Sequence, residues 1–303
     1  MRFLFNGLSH FGRKLVRDLS DFAPGHHFEF CDTYVSAAEQ LKFSVQLPFT
    51  DLVVSMNGVT SASGSLNLAI RFRKKLMMLW QGTDVMHALE RYRDGNLDRK
   101  YVDYASNYAV APWLVDELKS IGVESKLLSF YSLESSAPAG PFPKMAAYAY
   151  IPEGKEDFYG WEITRQVAMA NPGVSFSIAG HTGKGLDAPS NISFRGWLAA
   201  PEMEVMARET PLYLRFTKHD GFPHTVGEAL SFGNEIIWSM PYGHSNFAND
   251  TNSAIQAFAR VKSILEQNGL SRNGNNIRFA RESFAKENVL TQFFMTLKSV
   301  AKG

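Results

Sequence analysis

The stretch that most constrains the fold runs from Leu212 to Ser239 and reads as strand, polar loop, helix, Gly stop and second strand. Residues 212–216 and 235–239 are apolar, β-branched or aromatic without the alternation of a half-exposed strand, which is typical of buried parallel strands. Pro223 suits the first turn of a helix and Gly233 the position past its end, so we expect a helix over about 223–232.

Two carboxylates, Asp220 and Glu228, stand in this stretch with seven residues between them. Asp220 precedes the predicted helix, where backbone N–H groups and the positive end of the helix dipole point outwards. N–H groups from Gly221 onwards suit a phosphate, whereas carboxylates suit the hydroxyl groups of a sugar or ribose. Helical spacing predicts one buried stripe, formed by Val226, Ala229 and Leu230. His224, Thr225 and Glu228 then share another face, and the whole block favours a nucleotide-sugar as ligand.

The block resembles the acid, seven residues, acid motif of retaining glycosyltransferases with the GT-B fold (group 1, family 4-like), typically written E-G-F-G-x-x-x-x-E-A-x-x-x-G. Asp220 replaces the first Glu and Pro223 the second Gly, while the other positions match: Gly221, Phe222, Glu228, Ala229 and Gly233. The resemblance implies that the first acid region contacts the transferred sugar, the amides after it contact the phosphates, and the second Glu holds the ribose hydroxyls. The alternative to a ligand site is that Asp220 caps the helix and that Glu228 is a solvent-exposed helix residue.

Further donor-binding candidates follow from the same resemblance. Lys155, in the loop PEGKEDFYG, matches the family's phosphate-binding Lys, with a solvated side chain as the alternative. The family's Arg is absent from that loop, so Arg215 or Lys218 is a candidate for the missing cation, because a diphosphate in a partly buried cleft needs paired charge. NISFRGWL resembles the segment beside the nucleobase, which implies base contacts for Gly196 and Trp197; Trp197 equally suits a core position.

The first half carries the acceptor-side candidates. In KLMMLWQGTDV an apolar strand over 76–80 runs into polar residues, and the carboxyl ends of parallel strands are the ligand-binding edge of open α/β sheets. The segment resembles W-x-G-[ST]-D of related acceptor domains, where a His often precedes the Gly. Gln81 takes that place and cannot act as a general base, so Thr83 becomes an acceptor contact and Asp84 the candidate catalytic group, with helix capping as its alternative.

The corner after the first predicted strand, residues 2–6, is a second acceptor-side candidate. In GT-B enzymes this corner borders the cleft, which implies ligand contacts for Ser9, His10 and Gly12, against plain turn-forming roles. A phosphate-binding P-loop is excluded, because Arg13 follows Gly12 where that motif has Lys and then Ser or Thr.

The segment SLESSAPAGPFPK is the best linker in the chain. We expect an N-terminal acceptor-side domain over 1–135, a linker over 136–144, a nucleotide-sugar donor domain over 145–283 and a terminal helix over 284–303. By the resemblance, that helix packs back on the first domain. The fold class is therefore α/β: GT-B, two doubly wound Rossmann-like domains facing across a cleft.

Composition narrows the function classes. With 303 residues and 20% charged residues, the chain suits two ordinary globular domains, and a net charge of +1 argues against a nucleic-acid binder. The single Cys31 and a start without a signal-type apolar core predict a cytoplasmic protein. No run approaches the ~18 apolar residues of a membrane span. Basic residues over 71–75 are read as a solvated helix end or as a peripheral membrane contact.

These features predict a glycosyltransferase that moves a sugar from a nucleoside diphosphate-sugar to a glycan, a lipid-linked or a small-molecule acceptor, with retention of anomeric configuration, as in polysaccharide biosynthesis. No cofactor beyond the donor substrate and no metal is expected, since the sequence has neither D-x-D nor H-E-x-x-H. The alternatives are a nucleotide-sugar epimerase of the same fold and a non-catalytic nucleotide-sugar-binding protein. The sugar, the base, the acceptor and the oligomeric state stay open.

Overall fold

A computed structural model describes residues 1–133 and 137–303. The chain divides into two compact units, one formed by Met1–Ser132 with Lys286–Gly303 and the other by Leu133–Ala285. The last two residues of the predicted first domain and the first of the predicted linker, residues 134–136, lie outside the described residues. Among the residues that are described, no helix combines the length and apolar character that a membrane crossing requires.

The first unit is built on a six-stranded parallel sheet in the order β2-β1-β3-β4-β5-β6. Its strands are β1 (Arg2–Asn6), β2 (His27–Cys31), β3 (Leu52–Ser55), β4 (Lys75–Trp80), β5 (Ser106–Ala109) and β6 (Lys126–Leu127). Helices connect them: α1 (Ser9–Phe22), α2 (Ala37–Gln46), a 3-10 turn (Leu47–Phe49), α3 (Gly64–Arg71), α4 (Thr83–Arg93), α5 (Lys100–Tyr104) and α6 (Pro112–Ser120). The strand order reverses between β1 and β3. In open α/β sheets, ligands bind at the carboxyl ends of the strands beside such a reversal.

The second unit repeats this plan with the order β12-β11-β10-β7-β8-β9, again parallel. Its strands are β7 (Ala146–Tyr150), β8 (Ser175–Ala179), β9 (Ile192–Gly196), β10 (Leu212–Arg215), β11 (Glu235–Trp238) and β12 (Asn246–Phe247). Its helices are α7 (Trp161–Met169), α8 (Ala200–Glu209), α9 (His224–Phe232), α10 (Thr251–Gln267) and α11 (Gly274–Phe284), and the last helix of the chain is α12 (Lys286–Lys302). Here the order reverses between β7 and β10.

The predicted strand, helix and strand of the central stretch are confirmed. β10 and β11 pair in parallel, from Leu212 opposite Glu235 to Arg215 opposite Trp238, and both strands are almost fully buried. The predicted stripe of α9 is fully buried: Val226, Ala229 and Leu230. Gly233 ends the helix at φ +75°, a left-handed conformation that favours glycine. With two doubly wound parallel sheets, the α/β fold class is confirmed.

Two helices have different boundaries from those predicted: one ends earlier and one begins later. The helix expected to carry basic residues as far as Lys75 ends at Arg71, because Arg73 adopts φ +53° and Lys75 already begins β4. The terminal helix begins at Lys286 rather than at residue 284. Ala285 is extended, with φ −55° and ψ 128°, and its backbone forms a bridge with Leu133, so α11 and α12 are separate helices.

Helix α12 belongs to the first unit and is held there at both ends. Lys286 forms an ion pair of 3.1 Å with Asp18 of α1, and Lys75 Nζ donates to the Ala301 carbonyl at 2.9 Å. Between these contacts a buried stripe faces the sheet, formed by Val289, Leu290, Phe293 and Leu297. The helix therefore contributes part of the core of the first unit.

Replacing Phe293 by Ala should cost about 3–5 kcal/mol of unfolding free energy, because the ring is fully buried and its removal leaves a cavity. The exposed neighbour in the same helix, Met295, provides the control, and Met295→Ala should change stability by no more than about 0.5 kcal/mol. Urea unfolding of both variants measures the difference. Equal stability of the two variants would show that α12 is not part of the core.

Candidate functional site

The carboxyl edge of the second sheet at β7 and β10 is formed by two loops, 151–160 and 216–223. The Lys218 N–H donates to the Phe158 carbonyl at 2.9 Å, and the Lys218 ammonium forms an ion pair with Asp157. Gly160 adopts φ +68° and lies so close to the Phe216 carbonyl that a Cβ there would collide with it. The two loops are therefore fixed to one another at the point where this fold class binds ligands.

A buried ion pair fixes the first acid of the motif. Arg215 is only 7% exposed, and its guanidinium donates to the Asp220 carboxylate, which also accepts from Thr217 Oγ1 at 3.0 Å. Burial alone would lower the pKa of the Arg215 guanidinium, but Asp220 and the Tyr213 hydroxyl raise it, so the cation stays charged. The guanidinium also lies over the Tyr159 ring, 5.6 Å from its centre. Asp220 is thus held at the sheet edge by a cation beneath it.

Tyrosines connect this ion pair to the first turn of α9. Tyr213 Oη lies 2.8 Å from Thr225 Oγ1 and accepts from Arg215 Nη1 at 3.3 Å. The Tyr213 ring stacks on Tyr148 of β7, with ring centres 4.6 Å apart. These contacts fix the start of α9 against two strands, so the N–H groups at the N-terminus of the helix have a defined direction.

Glu228, one turn further along α9, stands in a different environment from Asp220. Its pKa is raised to about 7, first by burial and then by the nearby charge of Glu204. A carboxyl with this pKa is protonated in about half of the molecules near neutral pH, so it can both donate and accept hydrogen bonds. The two acids of the motif therefore stand in different environments: Asp220 pairs with the Arg215 cation, whereas Glu228 lies near a second carboxyl, that of Glu204.

The structure separates the two candidates for the missing phosphate cation. Arg215 is buried and paired with Asp220, whereas the Lys218 side chain is 58% exposed. Lys155 is exposed on the neighbouring loop. Gly221 lies in the loop that leads into α9, and His224 and Thr225 are the first two residues of that helix. Lys218 is in the same loop, whose hydrogen bond to Phe158 joins it to the loop of Lys155.

Gly196 and Trp197 lie at the end of β9, two strands away from β7, or about 10 Å at the usual strand spacing. Gly196 adopts φ +63°, and its N–H donates to the His181 carbonyl at 3.0 Å. Trp197 is 78% exposed, which excludes the alternative that it is a core residue. Its ring is available as a flat surface beside the edge of the sheet.

Phe222 has neighbours that its motif position did not predict. Its ring packs against Phe284, Tyr242 and Trp238 at centre-to-centre distances of 5.2, 5.4 and 6.3 Å. Such an aromatic cluster anchors the loop before α9. The ring is therefore a packing element, and a donor contact at this position would come from its backbone.

In the first unit, Asp84 holds together the loops after β3 and β4. Four backbone N–H groups donate to its carboxylate at 2.6–3.1 Å: those of Gly58, Gln81, Gly82 and Val85. Burial raises the pKa of the Asp84 carboxyl, while these N–H groups lower it. Gln81 also donates its side-chain amide to the Met56 carbonyl, and Thr83 is exposed at the start of α4. Asp84 thus has the geometry of a clamp between two loops rather than of a helix cap, since the N-cap of α4 is Gly82 and no side chain in the described part of the chain caps this helix.

Ser9, His10 and Gly12 lie in the first turns of α1 rather than in the expected turn. Gly12 is buried, and a Cβ there would collide with the Phe30 ring, so this glycine is required for packing of α1 on β2. Ser9 and His10 are at least partly exposed at the start of the helix. They lie after β1, which β3 separates from the Gln81 loop of β4.

The sequence analysis singled out Arg215 as a phosphate cation rather than as the partner of Asp220, and it missed the other residues that support the acids. Tyr213 and Arg215 have the same parity along β10, so their side chains share a face of the strand, and this signal was available in the sequence. The contacts of Tyr148 and Asp157 were not, because each joins residues more than sixty positions apart. A third missed contact is His181 Nε2 to Glu156 at 2.8 Å, which joins the loops after β7 and β8. It also lowers the pKa of Glu156, after the effect of two backbone N–H groups.

No protein-family model matches the sequence, and no curated protein matches it. Solved structures do match the fold. The sucrose-phosphate synthase of Thermosynechococcus elongatus matches with a TM-score of 0.66 at 12% identity, over 99% of both chains. The pneumococcal O-GlcNAc transferase GtfA, in complex with UDP and GlcNAc, gives 0.61 at 15% identity, over 87% of this chain and 60% of its own.

A third structure, UDP-GlcNAc 2-epimerase from Neisseria meningitidis bound to UDP-GlcNAc, gives 0.57 at 11% identity, over 99% of this chain and 100% of its own. The chain has the GT-B fold. It spans about 60% of the length of GtfA. At these identities the likeness establishes the fold alone, so the function of this GT-B protein must be argued from its site.

Replacing Asp220 by Asn should destabilise the protein by about 3 kcal/mol, because the buried Arg215 charge would lose its counter-ion. Lys218→Ala removes an exposed ion pair from the same loop and should cost less than about 1 kcal/mol. Urea unfolding of the two variants compares them directly. If Asp220→Asn left the free energy of unfolding unchanged, the Arg215 cation would have another partner in the variant.

Glu228 should make stability depend on pH. Its folded pKa of about 7 lies above the ordinary 4.5, so the folded state holds the proton more tightly, and the wild type should lose stability as pH rises between these values. Glu228→Gln does not titrate, and its stability relative to the wild type should grow by about 2 kcal/mol from pH 5 to pH 8.

Unfolding of both proteins across this pH range measures the effect, with the exposed Glu266→Gln as the control that should give a constant difference. A pH-independent difference for Glu228→Gln as well would mean that its pKa is ordinary.

Proposed function

We propose that this GT-B protein is a glycosyltransferase that takes a nucleoside diphosphate-sugar as donor, transfers the sugar with retention of configuration and uses no metal. The observation that carries the proposal is a pair of acids, Asp220 and Glu228, on either side of the first turn of α9. Asp220 is ion-paired with Arg215, the pKa of Glu228 is raised, and both lie at the strand reversal between β7 and β10. A helix start and nearby cations suit a diphosphate, and the acids suit the hydroxyl groups next to it.

Two exposed lysines bind the diphosphate in this proposal. Lys155 and Lys218 come from the two loops that the Lys218 N–H to Phe158 hydrogen bond fixes together. The N–H groups of Gly221 and Thr225 add to the site at the start of α9, where Pro223 contributes none. Arg215 does not bind phosphate directly, because its guanidinium neutralises Asp220.

The two acids bind hydroxyl groups on different parts of the donor. Glu228 binds the ribose hydroxyl groups. With a pKa of about 7, its carboxyl accepts a hydrogen bond from a hydroxyl when ionised and donates one when protonated. Asp220 faces the transferred sugar, and its ion pair with Arg215 fixes its position. Trp197 offers its exposed ring to the base.

Transfer then needs no protein nucleophile. The bond between the anomeric carbon and the diphosphate oxygen breaks, and cations and amides stabilise the departing charge. The acceptor oxygen forms the new bond to the anomeric carbon on the same face, and its proton passes to a phosphate oxygen of the departing diphosphate. On the acceptor side, Gln81, Thr83, Ser9 and His10 contact the acceptor. Asp84 acts by holding the Gln81 loop in place, since backbone N–H groups occupy its carboxylate.

One rival function shares the donor site. The 2-epimerase neighbour is matched over its entire length, whereas only part of GtfA is matched. An epimerase would convert a nucleotide-sugar in the absence of any acceptor. Incubation with UDP-sugars, followed by nuclear magnetic resonance of the products, distinguishes the two: transfer gives free UDP and an α-linked product from an α-linked donor, whereas epimerisation gives a new UDP-sugar.

Glu228→Ala and Lys218→Ala should each weaken UDP binding about tenfold, since each removes a hydrogen bond or ion pair worth on the order of 1–1.5 kcal/mol. Glu266→Ala, on the exposed far end of α10, is the matched control and should leave the affinity unchanged. Titration calorimetry with UDP measures all three. Wild-type protein that fails to bind UDP or any other nucleoside diphosphate contradicts the proposed function; unchanged affinity in the two site variants removes those residues from the site.

A further inference from the structure

The first unit contains a cavity of about 400 Å³ beside helices α2 and α3. Its lining includes Thr33, Tyr34, Gln40, Phe43, Ser63 and Ser65. Thr33 and Tyr34 follow β2, and Ser63 caps α3, so the cavity opens near the carboxyl ends of β1 and β2. This volume lies within the range of small-molecule sites, about 300–1,000 Å³. No residue of the lining was singled out from the sequence.

A buried amide sets the polarity at one side of the cavity. Asn6, the last residue of β1, is 1% exposed, and its Nδ2 donates to Ser65 Oγ at 3.1 Å and to Thr33 Oγ1 at 3.4 Å. Both hydroxyl oxygens accept from Asn6, so their own protons can be donated elsewhere. Ser63 Oγ and Ser65 Oγ lie 3.2 Å apart, so one of the two hydroxyl groups donates a hydrogen bond to the other. The hydroxyl that accepts this bond keeps its own proton for a ligand.

Other residues of the lining supply an acceptor, a donor and aromatic rings. Gln40 donates its side-chain N–H to the Thr33 carbonyl at 2.9 Å, which leaves its amide oxygen as an acceptor. Tyr34 Oη accepts from Asn57 Nδ2 at 3.3 Å and keeps its proton for donation. The Tyr34 side of the cavity is open, since this residue is 59% exposed, while Phe43 is buried against it.

The lining carries no formal charge. Its ten residues, all in the described part of the chain, include no Asp, Glu, Lys, Arg or His. A phosphate, a carboxylate or an ammonium group would enter this cavity without a counter-ion, which costs free energy. A neutral ring with hydroxyl groups at its edge and C–H groups on its face meets all of the available groups: hydroxyl donors, an amide acceptor and an aromatic surface.

We propose that this cavity binds a neutral sugar ring. Under the proposed glycosyltransferase function, on which this second step rests, the ring belongs to the acceptor, so the acceptor is a saccharide that is uncharged where it enters the first unit. The site is separate from the residues Gln81 and Thr83 after β4, and it lies wholly within the first unit.

Saturation-transfer nuclear magnetic resonance on the full chain tests the proposal with glucose, galactose, mannose, N-acetylglucosamine, maltose, cellobiose and lactose as probes. Glucuronic acid and glucosamine serve as charged counterparts. Tyr34→Ala removes the aromatic surface, and Ala62→Trp places a large ring at the cavity lining. The exposed neighbour outside the lining gives the matched control, Val35→Ala. Thermal unfolding verifies that each variant folds, and UDP calorimetry is run on each in parallel.

We expect at least one neutral sugar to bind, and both lining variants to weaken it tenfold or more, while Val35→Ala stays within twofold and UDP affinity is unchanged in all variants. Absence of binding by every neutral probe, equal binding by the charged probes, or neutral-sugar binding that neither lining variant weakens would overturn the site. UDP binding without sugar binding removes this cavity and leaves the proposed function, whereas sugar binding without UDP binding removes the proposed function and leaves the cavity.

Discussion

The candidate site depends on one buried cation. Arg215 ends β10 with its guanidinium almost fully covered, and a charge in that position must be paired because the interior solvates it poorly. The chain supplies Asp220 five residues later, so the intervening loop has to turn back over the end of the strand. That turn places the start of α9 at the strand reversal. Removal of the ion pair would leave Asp220 and its loop without their anchor, whereas Glu228 would keep its place on the packed helix α9.

The same ion pair gives the two acids of the motif different environments. Asp220 pairs with the Arg215 cation, whereas Glu228 is partly buried near a second carboxyl, and the pKa of Glu228 rises to about 7. Carboxyl groups whose environments differ in this way can take different roles at one pH. In the proposed function, Asp220 faces the sugar and Glu228 holds the ribose.

The central strand, helix and strand could be predicted from sequence because every signal for them is local. The apolar runs, Pro223 and Gly233 each act within a few residues of their own position, and β10, α9 and β11 form as expected. The support of the site could not be predicted in this way. The Tyr148 to Tyr213 stack and the Lys218 to Asp157 pair depend on strand order and loop approach, which no local pattern encodes.

Other differences have the same cause. The terminal helix breaks at Ala285 because its backbone pairs with Leu133, a contact across 152 positions of the chain. Gly12 resembled a ligand-facing turn, yet it is required by the ring of Phe30 on the next strand. The cavity beside α2 and α3 is likewise lined by ordinary Ser, Thr and Gln residues, which carry no motif.

The most direct measurement is hydrogen–deuterium exchange of the full chain with and without UDP. If a nucleoside diphosphate binds where the acids and exposed lysines meet, UDP should slow amide exchange in the loops 151–160 and 216–223 and in the first turn of α9. The β3 and β4 loops of the first unit serve as the comparison. Binding of UDP without slower exchange in these second-unit segments, or with slower exchange confined to the first unit, would contradict the account.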